Sequence, residues 1–189
     1  MTGRKFHPQI DAVVAYFCDP HGIKLQGQQF LSSARQEDDT WVFAAAHEML
    51  HPPIPMDGPV AKRARAIIDA DPVLQRAIKE HDPRYGYTTS EGILNEDLTQ
   101  ALDQMICERL GVAKPPASRW TRADDGLHIF AAGLYGLLMR DAYPSRGGNI
   151  EAWLSTAMDR GWLAPKSLHP AAAAVLGRPA DRLWPVPKD

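Results

Sequence analysis

Trp41-Val42-Phe43-Ala44-Ala45-Ala46-His47-Glu48-Met49-Leu50-His51 is the stretch on which this chain turns. It reads as a helix. Asp38-Asp39-Thr40 before it offers an N-cap, and Pro52-Pro53 after it blocks continuation. On a helix, residues four apart share a face, so the rings of His47 and His51 project together with Glu48 beside them. Two imidazoles on one face can meet one metal ion, and a neighbouring carboxylate can handle a water proton. Chance yields H-E-x-x-H only about 0.01 times in a chain of this composition. The plain alternative is a helix with two ordinary surface histidines.

Length and charge narrow the classes. The chain has 189 residues, which fits a single domain, and 44% hydrophobic content is enough for a core. A net charge of −2 argues against nucleic acid or an anionic membrane as partner. No apolar run approaches the roughly 20 residues that span a bilayer. The first residues contain no apolar signal segment, so the chain as it stands is expected to be cytoplasmic, or exported if a leader has been removed. Cys18 and Cys107 form no C-x-x-C pair and read as buried free thiols. There is no glycine-rich phosphate loop and no G-x-S-x-G elbow.

The pattern along the chain predicts a mainly α fold with little or no β-sheet. Asp11 to Cys18 is apolar, follows Pro8 and ends at Asp19-Pro20-His21-Gly22, so it is expected to be helical. Ile23 to Leu31 is mixed and is the one place for an extended segment. Helices are expected over Val60–Ala70 and Pro72–His81, and from a Ser90 cap to a Gly111 stop. Arg84 to Thr88 and the stretch from Pro115-Pro116 read as loops. Gly126–Tyr143 and Ile150–Arg160 complete the helices, and Gly147-Gly148-Asn149 reads as a turn. Residues 164–189, rich in proline and alanine, are expected to form an extended C-terminal tail.

A catalytic zinc site ordinarily keeps three protein ligands and one open position. The third ligand is sought in Gly92-Ile93-Leu94-Asn95-Glu96-Asp97. H-E-x-x-H followed by a separate helix bearing Asn-Glu resembles the gluzincin zinc metallopeptidases, the thermolysin-like arrangement. That resemblance covers roughly residues 40–105 and implies a zincin-like helical domain with His47, His51 and Glu96 as zinc ligands. Asp97 is the main competitor, because H-E-x-x-H proteases with an aspartate third ligand also exist; Glu91 and Asp103 are weaker ones. The family pattern places an aspartate where this chain has Gln100, so either Gln100 or Asp103 is expected to orient a ligating histidine.

The expected activity is that of a zinc metallopeptidase acting on a peptide or protein, with Glu48 as general base. His128 and Tyr135, seven apart on one helix face, are candidate donors to the developing oxyanion, with Tyr85, Tyr87 and Tyr143 as further options. His81 ends a helix, while His7, His21 and His169 read as surface residues. Two other classes stay open. One is a non-catalytic zincin-like binding module, for which Glu48 would have no use. The other is an amidohydrolase on a non-peptide amide, of the deformylase kind, which would need a cysteine ligand that Cys107 is poorly placed to be. Oligomeric state is not legible. The proline-rich end (Trp184-Pro185-Val186-Pro187) is a candidate for lying in a cleft.

Overall fold

The apolar run near the N-terminus is a strand, not a helix. β1 (Asp11–Ala15) lies parallel to β3 (Gln29–Ser33), and β2 (Gly22–Lys24) pairs antiparallel with β3, in the order β1-β3-β2. The run is too short for its hydrophobicity to distinguish helix from strand, and the β-branched pair Val13-Val14 favours the pleated form. The computed structural model describes residues 2–17, 22–146 and 148–186. Cys18, the expected turn at 19–21, Gly147 and Pro187 lie outside the described residues. The extended segment expected within Ile23–Leu31 is present as β2 and β3.

The rest is helical: α1 (Asp38–Leu50), α2 (Pro59–Ala70), α3 (Pro72–Glu80), α4 (Ser90–Leu110), α5 (Pro116–Arg122), α6 (Ile129–Arg140), α7 (Tyr143–Arg146), α8 (Ile150–Asp159) and α9 (Pro165–Leu176). The mainly α class therefore holds. α1 starts after Glu37, so Asp38 and Asp39 sit in its first turn, where carboxylates favour the positive end of the helix dipole, and do not cap it. It ends where His51 turns extended ahead of Pro52. Thr89, one residue before the expected cap, caps α4 through the Gly92 amide, and Gly111 closes that helix at φ 78°. Asp71 caps α3 by accepting from the amides of Val73 and Leu74.

Two stretches read as irregular are helices. Pro116 opens α5 and Pro165 opens α9; a proline in the first turn has no amide to lose there. The expected extended tail thus begins as a helix with Leu168, Ala172 and Leu176 buried. α9 docks on α6 because Gly133 and Gly136 leave room. A Cβ on Gly133 would stand 2.6 Å from the Leu168 side chain, and one on Gly136 3.1 Å from the Ala171 carbonyl. Beyond α9, Trp184 donates its indole N–H to Glu80 and Val186 packs on Gly126.

α4 and α6 form the centre of the core. Leu94, Leu98 and Leu102 of α4 and Ile129, Phe130, Leu134, Leu137 and Leu138 of α6 are fully buried. Each such side chain contributes about 1.5–3 kcal/mol relative to exposure. A second, small cluster of Phe30, Ala44 and Met49 seats α1 on the sheet. α1 is thereby held between β3 on one side and α4 on the other, and this fixes the direction in which His47 and His51 face.

Candidate metal centre

α1 and α4 bring three donor side chains together. His47 Nε2 and His51 Nε2 are 3.0 Å apart; His47 Nε2 is 3.4 Å from Glu96 Oε1, and His51 Nε2 is 3.5 Å from Glu96 Oε2. A tetrahedron whose centre lies 2.0–2.1 Å from its corners has edges of about 3.3 Å. The three side chains are 9–15% exposed, so the cluster is sheltered yet open on one side.

The hydrogen bonds behind the rings decide what these atoms can do. His47 Nδ1 meets Asp103 Oδ2 at 2.6 Å. An ionised carboxylate only accepts, so the N–H is on Nδ1. His51 Nδ1 faces Asn95 Oδ1 and Thr99 Oγ1, both at 3.3 Å. With the N–H of each ring on Nδ1, both Nε2 lone pairs are directed into the same small space beside a carboxylate. Bare lone pairs at that separation repel; a cation between them removes the conflict. The titration shifts point the same way. Burial opposes charge on His47, but the Asp103 hydrogen bond and the charges of Glu96, Asp103 and Glu48 outweigh it and raise its pKa. Burial likewise opposes the Glu96 carboxylate, but the His51 hydrogen bond, the His47 charge and the Gln100 amide outweigh it and hold it far below the usual carboxylate range. The donor set calls for one positive centre, and two imidazoles with a carboxylate are chemically suited to zinc.

Each expected residue has a definite place. Of the two orienting candidates, Asp103 contacts His47, whereas Gln100 donates to Glu96 Oε1 at 2.9 Å and accepts from the Trp120 indole at 2.7 Å. Asp97 is turned away: its oxygens take His128 Nδ1 at 2.6 Å and the Ala131 amide at 3.0 Å. Glu91 is exposed and pairs with Arg65. Glu48 is 6% exposed and lies against β2, where a Cβ on Gly22 would come within 2.7 Å of its Oε1. Only glycine lets the strand pass so close to that carboxylate.

The two oxyanion candidates are engaged by other carboxylates. His128 is fully buried with Nδ1 on Asp97 and Nε2 on Asp124 at 2.7 Å. Burial works against its charge, but the two carboxylates outweigh it and push its pKa up to about 10. Burial raises the Asp97 pKa, with the His128 charge and hydrogen bond and the Ala131 amide pulling against it. Tyr135 donates to Glu108 at 2.8 Å, and Glu108 follows Glu96 by twelve residues, about 18 Å along α4. Tyr85 is exposed, and Tyr143 is buried against Trp153. Tyr87 is the tyrosine at the cluster. Its ring meets His128 edge-on at 5.6 Å, and its hydroxyl feels the charge of Glu96. Burial and the Glu96 charge raise its pKa, so the hydroxyl keeps its proton. Tyr87 holds φ at 55° in the loop that leads into α4.

His169, expected on the surface, is instead largely buried and reaches Asp71 at 2.7 Å. Asn95, Thr99 and Arg119 were not among the expected site residues. Asn95 and Thr99 precede and follow Glu96 on α4, so spacing alone could have flagged them. Beside Asn95 a groove of about 810 Å³ opens between α2 and the start of α4, lined also by Met56, Lys62, Arg65 and Thr89. Compared with known proteins, the chain matches no family model, no curated protein and no solved structure.

Proposed function

We propose that the chain is a zinc-dependent hydrolase, and specifically a metallopeptidase of gluzincin-like design. The reading is carried by one observation: two imidazole nitrogens and a carboxylate converge at close to tetrahedral edge lengths, and Glu48, on the same helix, is near enough for its charge to act on His47. His47, His51 and Glu96 would hold the ion. Zinc bound there supplies Lewis acidity and a water of lowered pKa. Glu48 takes the proton of the attacking water and delivers it to the leaving amine. Of the further tyrosine options, Tyr87 keeps its proton within the influence of Glu96 and is the preferred donor for the developing oxyanion, since His128 and Tyr135 are engaged by other carboxylates. Among the described strands β2 is an edge of the sheet and runs past Glu48, so an extended peptide could add to that edge near the base.

The geometry disfavours the deformylase alternative. Cys107 is buried in α4, eleven residues past Glu96, and burial with the Asp103 charge pushes its thiol up to about 11. That is the opposite of a ligating thiolate. Metal analysis tests the proposal. Wild type and Asp97→Asn are expected to hold about one zinc per chain, Glu96→Ala none, and Glu48→Gln one zinc with no cleavage of a peptide library. A wild type that takes up no zinc after reconstitution overturns the reading in favour of a non-catalytic module.

A further inference from the structure

The carboxylate that orients His47 is itself held. Arg119 grips both oxygens of Asp103, Nη1 to Oδ1 at 2.5 Å and Nη2 to Oδ2 at 3.0 Å, and Nη1 also donates to Gln104 Oε1 at 3.1 Å. Asp103 is fully buried and the Arg119 side chain is 9% exposed. The guanidinium lies 4.7 Å over the Phe43 ring. Phe43 in turn stacks on His47, with centroids 6.2 Å apart and planes within 15°. One guanidinium therefore reaches one imidazole by two routes, through Asp103 to its Nδ1 and through Phe43 to its face.

Each part of this arrangement has a physical consequence. A carboxylate touched by a histidine alone can rotate about its broad terminal torsion. A planar fork on both oxygens fixes that plane, and with it the angle of the imidazole it accepts from. Arginine never loses its charge, so Asp103 stays an acceptor and His47 keeps its proton on Nδ1. Burying such a pair is a poor way to gain stability, because packed apolar residues of similar volume usually serve as well or better. Orientation of His47 gives the pair a use that stability does not.

We propose that Arg119 is a positioning residue of the metal centre, setting the tautomer and ring plane of His47 through Asp103 and Phe43. This rests on the metal-centre reading above. The test is a titration of the full chain with Co²⁺ alone, read by visible absorption for affinity and ligand geometry, with Zn²⁺ competition for zinc affinity. Arg119→Gln is expected to lose 10–100-fold in affinity with an altered cobalt spectrum. Arg119→Lys restores the charge but not the fork, and is expected to fall between that variant and wild type. Asp71→Asn breaks a buried carboxylate–histidine pair at the start of α3 and is expected to lower the thermal midpoint while leaving cobalt affinity and spectrum alone.

Wild-type affinity and spectrum in Arg119→Gln overturn the proposal. So does a loss of affinity in Asp71→Asn that tracks its loss of stability, since Arg119 would then act only through the fold. If Arg119→Gln does not fold, Arg119→Lys decides by the same titration, and wild-type values there overturn it. A wild type that binds neither ion removes the metal-centre reading and this proposal with it. Binding by wild type with no change in the variants removes this proposal alone.

Discussion

Two histidine–carboxylate clusters hang on the same helix, and they differ in how many imidazoles each carboxylate meets. Glu96 and Asp97 are neighbours on α4, about 100° apart around its axis. Glu96 faces α1 and meets two imidazoles. Asp97 faces α6 and shares one imidazole with Asp124. The second cluster is closed: every nitrogen of His128 has a carboxylate, and the ring is sealed from solvent. The first sets two imidazoles against one carboxylate and is sheltered without being sealed. On the proposed reading, the ratio of imidazole to carboxylate separates a ligand set from an ion pair here; the residue types alone do not.

The comparison breaks most sharply on Glu96. Glu96→Ala is expected to abolish zinc binding while the far-UV circular dichroism stays that of wild type, because the cluster it leaves is only partly buried. Zinc retained in Glu96→Ala but lost in Asp97→Asn would reverse the roles assigned to the two faces of α4. Next in size is Glu48→Gln, which keeps the metal but removes the base, and peptide cleavage is expected to fall by about 10²–10⁴-fold. Cleavage that survives this change would move the base elsewhere. Asp97→Ala probes the closed cluster. Removing one partner of a buried pair leaves the other uncompensated, so denaturant unfolding should show a loss of about 3–5 kcal/mol. A change below 1 kcal/mol would mean that His128 is neutral in the fold.

The open cluster was the more legible of the two. His47, Glu48 and His51 lie within one helical turn, so local periodicity places them without any knowledge of the fold. A carboxylate from α4 follows from the chemistry of a third ligand, but the choice of Glu96 over Asp97, and the offer of Gln100 or Asp103 as the orienting group, come from the resemblance to the gluzincin pattern. The residues that were missed, or left unranked among several, belong to partners brought in by packing. Tyr87 is one of three further tyrosines, and its place near Glu96 depends on the loop into α4, where it holds φ at 55°. Arg119 reaches Asp103 only because α5 exists, and Pro115-Pro116 reads as a break when it is a start. His128 and Tyr135 share a helix face as expected, but the face is directed at Asp97 and Glu108. β1 shows the same limit from the other side: Val13 and Val14 are 44% and 50% exposed, so no buried face imposes a period on the sequence.

pH separates the clusters by the smallest effect and the most specific one. Both His128 and His47 have pKa values raised above that of an unfolded histidine, about 6.5. A raised value means that the fold binds the proton more tightly than the unfolded chain. The stabilisation is therefore fully present below about pH 6.5 and is lost as pH rises through the folded value, which for His128 is about 10. With a chelator present, urea midpoints measured from pH 6.5 to 9.5 should fall, with each histidine contributing at most about 1.4 kcal/mol per pH unit. Saturating zinc takes the place of the proton at His47 and binds better as its ligands deprotonate. The slope should then shrink to the part that comes from His128, and zinc-saturated His128→Gln should be nearly flat over the same range. A slope that zinc leaves unchanged in wild type would mean that the two rings on α1 hold no ion, and that both clusters are ion pairs of one kind.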